Sequence, residues 1–163
     1  MTSNLISGPE CHTLAACMEC MCGIESNENA RTCGTEHGPD ETCTMHGRCN
    51  NRDLSNRTGD CLCGSWQISR SYFDACSTGH DPLGNALTVP IADWVSCAVD
   101  VDCATKCVHN YLNKYRLQCT GTTDASQVSC AQHWRIHRGG PNGCLIEQPG
   151  ETNLASCCTT PGQ

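Results

Sequence analysis

The residue best placed to do chemistry is a glutamate that closes a cysteine-lined stretch, Cys17-Met18-Glu19-Cys20-Met21-Cys22-Gly23-Ile24-Glu25-Ser26. Leu14, Met18 and Met21 recur at i, i+4 and i+7, with Cys17, Cys20 and Ile24 on the adjoining strip, so the stretch is expected to be a helix with one buried face. Four residues further along that face stands Glu25. A carboxyl there sits beside the core and near the negative end of the helix dipole. Both surroundings disfavour the charged form. A carboxyl that keeps its proton is what general-acid catalysis near neutral pH needs. The competing reading is a solvated glutamate at a helix end, and the helical pattern alone does not separate the two.

The elements around this stretch are those of a small crosslinked protein. The chain has 163 residues, 18 of them cysteine and only one phenylalanine, a composition in which disulfides do much of the work of a core. An even cysteine count allows nine bridges and points to an oxidising compartment, so the protein is expected to be secreted and extracellular. The close cysteines Cys17/Cys20/Cys22 and Cys61/Cys63 lack the paired Cys/His knuckles of a zinc module, and no metal or other cofactor is expected. Asn56-Arg57-Thr58 is a glycosylation sequon, in keeping with secretion. A net charge of −7 without a clustered basic face argues against nucleic acid as a partner. No run is long and apolar enough for a membrane span. Residues 1–10 read as a loose leader with no apolar signal region, and residues 11–163 as a single domain, expected to be monomeric.

Ser26 to Gly59 is polar and rich in Asn, Asp and Gly, which predicts loops and short strands under crosslinks. Cys61 to Ser69 alternates as a strand does and leads to Tyr72, Phe73 and Cys76. Ser77 to Pro90 reads as an insertion loop. Helices are expected from Trp94 and again after Asp100, a capping residue, with Cys103, Cys107, Val108, Tyr111, Leu112 and Tyr115 on one face. A shorter helix, Cys130 to His137, is expected to stop at Arg138-Gly139-Gly140-Pro141, and the tail from Cys144 to be irregular.

Taken in order, these pieces carry a resemblance. Cys17-x-x-Cys20-x-Cys22-x-x-Glu25-Ser26 is followed by Cys63-Gly-x-x-Gln67-Ile68, Tyr72 and Cys76. Trp94-x-Ser-Cys97, Cys103-Ala-x-x-Cys107-Val-x-Asn110-Tyr111 and Tyr115 come next, and Arg135-Ile136-His137-x-Gly139-Gly140-Pro141-x-Gly143-Cys144 ends the series. Over roughly residues 15–158 the chain resembles the invertebrate-type lysozymes, the group that includes destabilase. The resemblance implies a disulfide-rich α+β fold, mainly helical and lysozyme-like, with a small β-hairpin region lining a cleft. The partner it implies is bacterial peptidoglycan or a chito-oligosaccharide.

It also implies roles. Glu25 matches the family's proton donor. A second, ionised carboxylate would attack the sugar about 5 Å away across the scissile bond, as in retaining glycosidases. Asp53, in Cys49-Asn-Asn-Arg-Asp53, is the first choice for that nucleophile. Asp60 is the runner-up, because Gly59-Asp60-Cys61-Leu62-Cys63-Gly64 overlays the family's Gly-Ser-x-Ser-Cys-Gly, with Asp60 in place of the first serine. Trp66, Gln67, Tyr72 and His137 could line the sugar subsites, though buried aromatics and a turn-ordering histidine would look the same in a sequence. The expected activity is that of a muramidase. The alternatives are an isopeptidase of the destabilase type and a non-catalytic binding or matrix protein on the same scaffold.

Overall fold

A computed structural model describes Cys11, residues 13–26, the backbone of residues 43–44 and residues 62–158, with side chains to residue 154. Its order is α1 (Leu14–Ser26), β1 (Cys43–Thr44), β2 (Leu62–Cys63), α2 (Arg70–Ser77), α3 (Trp94–Val99), α4 (Val101–Thr120), a short 3-10 turn (Ala125–Gln127), α5 (Cys130–Gly143) and α6 (Glu151–Cys158). The described part is therefore mainly helical. Its one sheet is a two-residue antiparallel pair, Cys43 opposite Cys63 and Thr44 opposite Leu62.

Local chemistry sets the helix ends. Thr13 accepts from the Ala16 N–H at the start of α1, and Ser69 does the same for Tyr72 at the start of α2. Asp93 and Asp100 cap α3 and α4, as the sequence leads one to expect for Asp100. Ser129 and Gln132 form a reciprocal capping box at α5. Gly121 in the left-handed region closes α4.

Helix α4 is the central rod. It packs on α5, α2 and α3, while α1 lies against α6 and α5. Between them are Met21, Trp66, Ile68, Val108, Leu112, Trp134 and Ile136, all buried. Disulfides Cys17–Cys130, Cys76–Cys107, Cys97–Cys103 and Cys119–Cys144 cross this core, and Cys11, Cys20, Cys22 and Cys63 are oxidised as well.

Three expectations need correction. The predicted Cys61–Ser69 strand shows only Leu62–Cys63 as strand, and the chain then turns through residues 64–67 so that Cys63 and Ile68 bond each other. Gly64, at φ +72, permits the turn and sits hard against α3: a Cβ there would fall 1.7 Å from the Ala98 carbonyl oxygen. Helix α5 does not stop before Pro141. It bends at Gly140 (φ 65, ψ −166) and continues to Gly143, with Pro141 opening the second segment, where a missing N–H costs nothing. The tail expected to be irregular holds α6, whose Glu151 lies in the first turn and pairs with Arg135, and whose Leu154 is buried. Ser77, the expected start of the loop, closes α2, and from Thr78 to Pro90 the chain is a loop as expected, with one isolated bridge, His80 to Ala86.

Candidate active site

Three helices deliver one polar cluster. Cys17 and Cys130 join α1 to α5, and about two turns beyond each cysteine stand Glu25 and His137. The end of α1 is fixed a second time by Ser26, whose hydroxyl bonds the carbonyl oxygens of Cys22 (2.8 Å) and Ser65 (3.1 Å). Glu25 thus reaches the inner side of α5. Its Oε1 lies 3.0 Å from His137 Nε2 and 3.1 Å from Arg138 Nη1, and Oε2 lies 3.3 Å from the same Arg138 nitrogen. The Glu25 and His137 side chains are 6% and 4% exposed, that of Arg138 33%.

From α2 comes Tyr72, its hydroxyl 2.8 Å from His137 Nδ1. Tyr72 stacks on Tyr111 of α4, ring centres 3.8 Å apart and planes 10° from parallel. Burial pushes the Tyr72 phenol well above its ordinary range, with Tyr111 and the Glu25 charge adding to the effect. Burial, with Tyr115 beside it, raises Tyr111 to about 12. Both phenols therefore keep their protons at any pH where a protein works. The rings of Trp66, Tyr72 and Trp134 surround the imidazole at 5.4, 5.3 and 5.8 Å between centres.

The structure brings together Glu25, Tyr72 and His137 of the residues singled out in the sequence, with Trp66 behind them. Trp66 is a core residue by position: it is 1% exposed and its ring N–H donates to Thr105 Oγ1 at 3.0 Å. Gln67 sits in the turn at φ 54 and gives its side-chain amide to the Gly64 carbonyl, at 2.8 Å. Asp53 and Asp60 lie outside the described residues. Arg138 was not singled out by its sequence, where adjacency to His137 was its only signal. The carboxyl also differs from expectation in its surroundings, since an imidazole nitrogen and a guanidinium meet it in place of a wholly apolar wall. Among the described residues no group of His, Cys, Asp and Glu is arranged to hold a metal ion.

This is a carboxyl group met by two nitrogens at a helix end, one of them on an imidazole surrounded by aromatic rings. The family model for destabilase matches residues 39–157. The chain belongs to the destabilase family. Invertebrate-type lysozyme 3 of Caenorhabditis elegans is 36% identical over 118 residues, 71% of this chain and 81% of that protein. A lysozyme of Ostrea edulis is 34% identical, over 79% of this chain and 68% of its own. The crystal structure of Tapes japonica lysozyme is similar in fold, with a TM-score of 0.54 and 26% identity over 96% of both chains. That likeness extends upstream of residue 39, beyond the segment matched by the family model. Lysozymes are glycoside hydrolases, and the destabilase-family chain described here is an enzyme of that kind.

Proposed function

We propose that this protein is a secreted muramidase that hydrolyses the β-1,4 bond between N-acetylmuramic acid and N-acetylglucosamine in bacterial peptidoglycan, with Glu25 as general acid. The observation that carries the reading is the burial of Glu25 beside the His137 imidazole and the Arg138 guanidinium. Of the carboxylates in ion pairs among the described residues, its side chain is the least exposed, at 6% against 13% for Glu151 and 63% for Asp74. An enclosed carboxyl in a polar cluster of this kind is where acid–base chemistry is to be sought.

In this reading Glu25 gives its proton to the glycosidic oxygen as the bond to the anomeric carbon breaks. Asp53 attacks that carbon and forms a glycosyl ester; Asp60 is the second choice for this role. Glu25, now charged, then takes a proton from the water that hydrolyses the ester. His137 and Arg138 face the carboxyl group that becomes charged as the proton leaves, so the cluster favours the transition state more than the resting acid. Secretion is supported by the disulfides, which persist in an oxidising compartment.

The test is lysis of peptidoglycan suspensions by purified variants. Glu25→Gln keeps the shape and removes the transferable proton, so lysis should vanish while the protein stays folded. Asp53→Asn should cost orders of magnitude and Asp60→Asn much less. A folded Glu25→Gln protein that still lyses walls removes Glu25 from the reaction, and the reverse ranking of the aspartates moves the nucleophile to Asp60.

A further inference from the structure

We infer that Tyr72 is a positioning residue for the acid: its hydroxyl donates to His137 Nδ1, fixes the imidazole as the Nε2–H tautomer, and so assigns Glu25 Oε1 to anchoring and Oε2 to the transferred proton. The inference rests on the reading of Glu25 as general acid, and deepens it by giving the two carboxyl oxygens different tasks.

A neutral imidazole has one donor nitrogen and one acceptor nitrogen, and here both are engaged. Nδ1 is 2.8 Å from the Tyr72 hydroxyl and Nε2 is 3.0 Å from Oε1. If Nδ1 carried the hydrogen, the Nε2 lone pair would face a carboxylate oxygen, and the contact would be repulsive unless that oxygen held a proton. Oε1 has little room for one, because the Arg138 Nη1 N–H already points at it from 3.1 Å. The consistent arrangement has two N–H groups donating to Oε1, with Tyr72 O–H donating to Nδ1 to complete it. Oε2, whose one contact among the described residues is the longer one of 3.3 Å to Arg138, is the oxygen left to carry the mobile proton.

Tyr72 is built to act as a donor. Its phenol holds its proton through burial, and its ring is clamped flat against Tyr111. Tyr111 is seated in turn by the bend in α5. At Gly140, φ +65, a Cβ would come within 2.7 Å of the Tyr111 hydroxyl, so only glycine leaves that ring its place. The line Gly140, Tyr111, Tyr72, His137, Glu25 runs from the backbone of α5 through α4 and α2 back to the carboxyl on α1.

A double-mutant cycle on the full protein tests this, reading kcat and KM on a soluble chito-oligosaccharide. Tyr72→Phe keeps the stacked ring and deletes the donor. It should lower kcat about tenfold, the effect of one lost orienting hydrogen bond, with KM changed by less than about twofold. In a His137→Gln background the side-chain amide offers Oε1 an N–H without any tautomer to choose, and adding Tyr72→Phe should cost less than about a further twofold. Equal losses in both backgrounds would mean that Tyr72 only packs, and would overturn the inference. Nitrogen-15 spectra of the wild-type histidines give a second readout, independent of activity. The Nε2–H tautomer is expected for His137, and a mixture in Tyr72→Phe. An Nδ1–H tautomer or a doubly protonated ring in the wild type would overturn the inference, whatever Glu25→Gln does to lysis.

Discussion

Buried in the interface between α4 and α5 is a histidine that should set the acid limit of the fold. His133 is 1% exposed, and its Nε2 accepts from Arg116 Nε at 3.1 Å. Arg116 is buried too, and its remaining bonds go to neutral partners, Asn113 Oδ1 at 2.8 Å and the Thr123 carbonyl at 3.4 Å. Protonating His133 would therefore place a second cation against the first and destroy the acceptor. Burial first, then the Arg116 charge, push the imidazole down to about 3 from an ordinary 6.5. With the folded value below the unfolded one, the unfolded chain binds a proton that the native protein refuses. The stabilisation is complete above about pH 6.5 and is lost progressively as pH falls towards 3. At about 1.4 kcal/mol per unit, the loss between pH 6.5 and pH 4 is about 3 kcal/mol. His133→Gln keeps an acceptor for Arg116 and cannot titrate. Denaturant unfolding with disulfides intact, at pH 7 and pH 4, should find the variant gaining about 3 kcal/mol on the wild type over that interval. Parallel pH dependence of the two proteins would refute the reasoning, since other titrating groups, His109 included, cancel in the comparison.

Gly64→Ala combines positive φ with a collision against the Ala98 carbonyl, and should cost about 3 kcal/mol or more, read as a fall in melting midpoint or failure to fold. The bidentate Arg135–Glu151 pair, at 2.6 and 2.8 Å, ties α5 to α6; Arg135→Ala should lower stability by about 1 kcal/mol in urea unfolding, with little change in lysis. A net charge of −7 gives no attraction to anionic walls, so lysis should tolerate or rise modestly with added salt over about 0.1 M, as repulsion is screened. A steep fall with salt would contradict that expectation.

What could be read from the sequence was what is local. The 3.6-residue repeat carried α1 as far as Glu25, Asp100 announced α4, and the cysteine count announced a crosslinked fold. Proximity across the chain could not be read this way. Nothing in Ile136-His137-Arg138 says that both polar side chains will meet a carboxylate 112 and 113 residues away. Trp66 and Tyr72 show a different difficulty: an aromatic ring suits a sugar face and a protein core for the same physical reasons, and only burial distinguishes them. The 62–69 segment misleads because its apolar alternation is real, while the direction of the chain is decided by Gly64 under Ala98, a contact with α3. Helix α6 has a weak pattern because its single inward-facing residue with a described side chain is Leu154.

The bond between Cys17 and Cys130 also changes what the unfolded chain is. Glu25 and His137 are 112 residues apart along the backbone, but through the disulfide the path is eight residues on one side and seven on the other. Loop-closure entropy grows as (3/2)RT ln n, so shortening the path from 112 to 15 residues is worth about 1.8 kcal/mol, a factor of about twenty in the effective concentration of the imidazole around the carboxyl. In the oxidised chain the two halves of the site are near neighbours before any helix has packed. In a reducing compartment they are distant strangers, and a thiol–disulfide equilibrium would act on their encounter without touching either group.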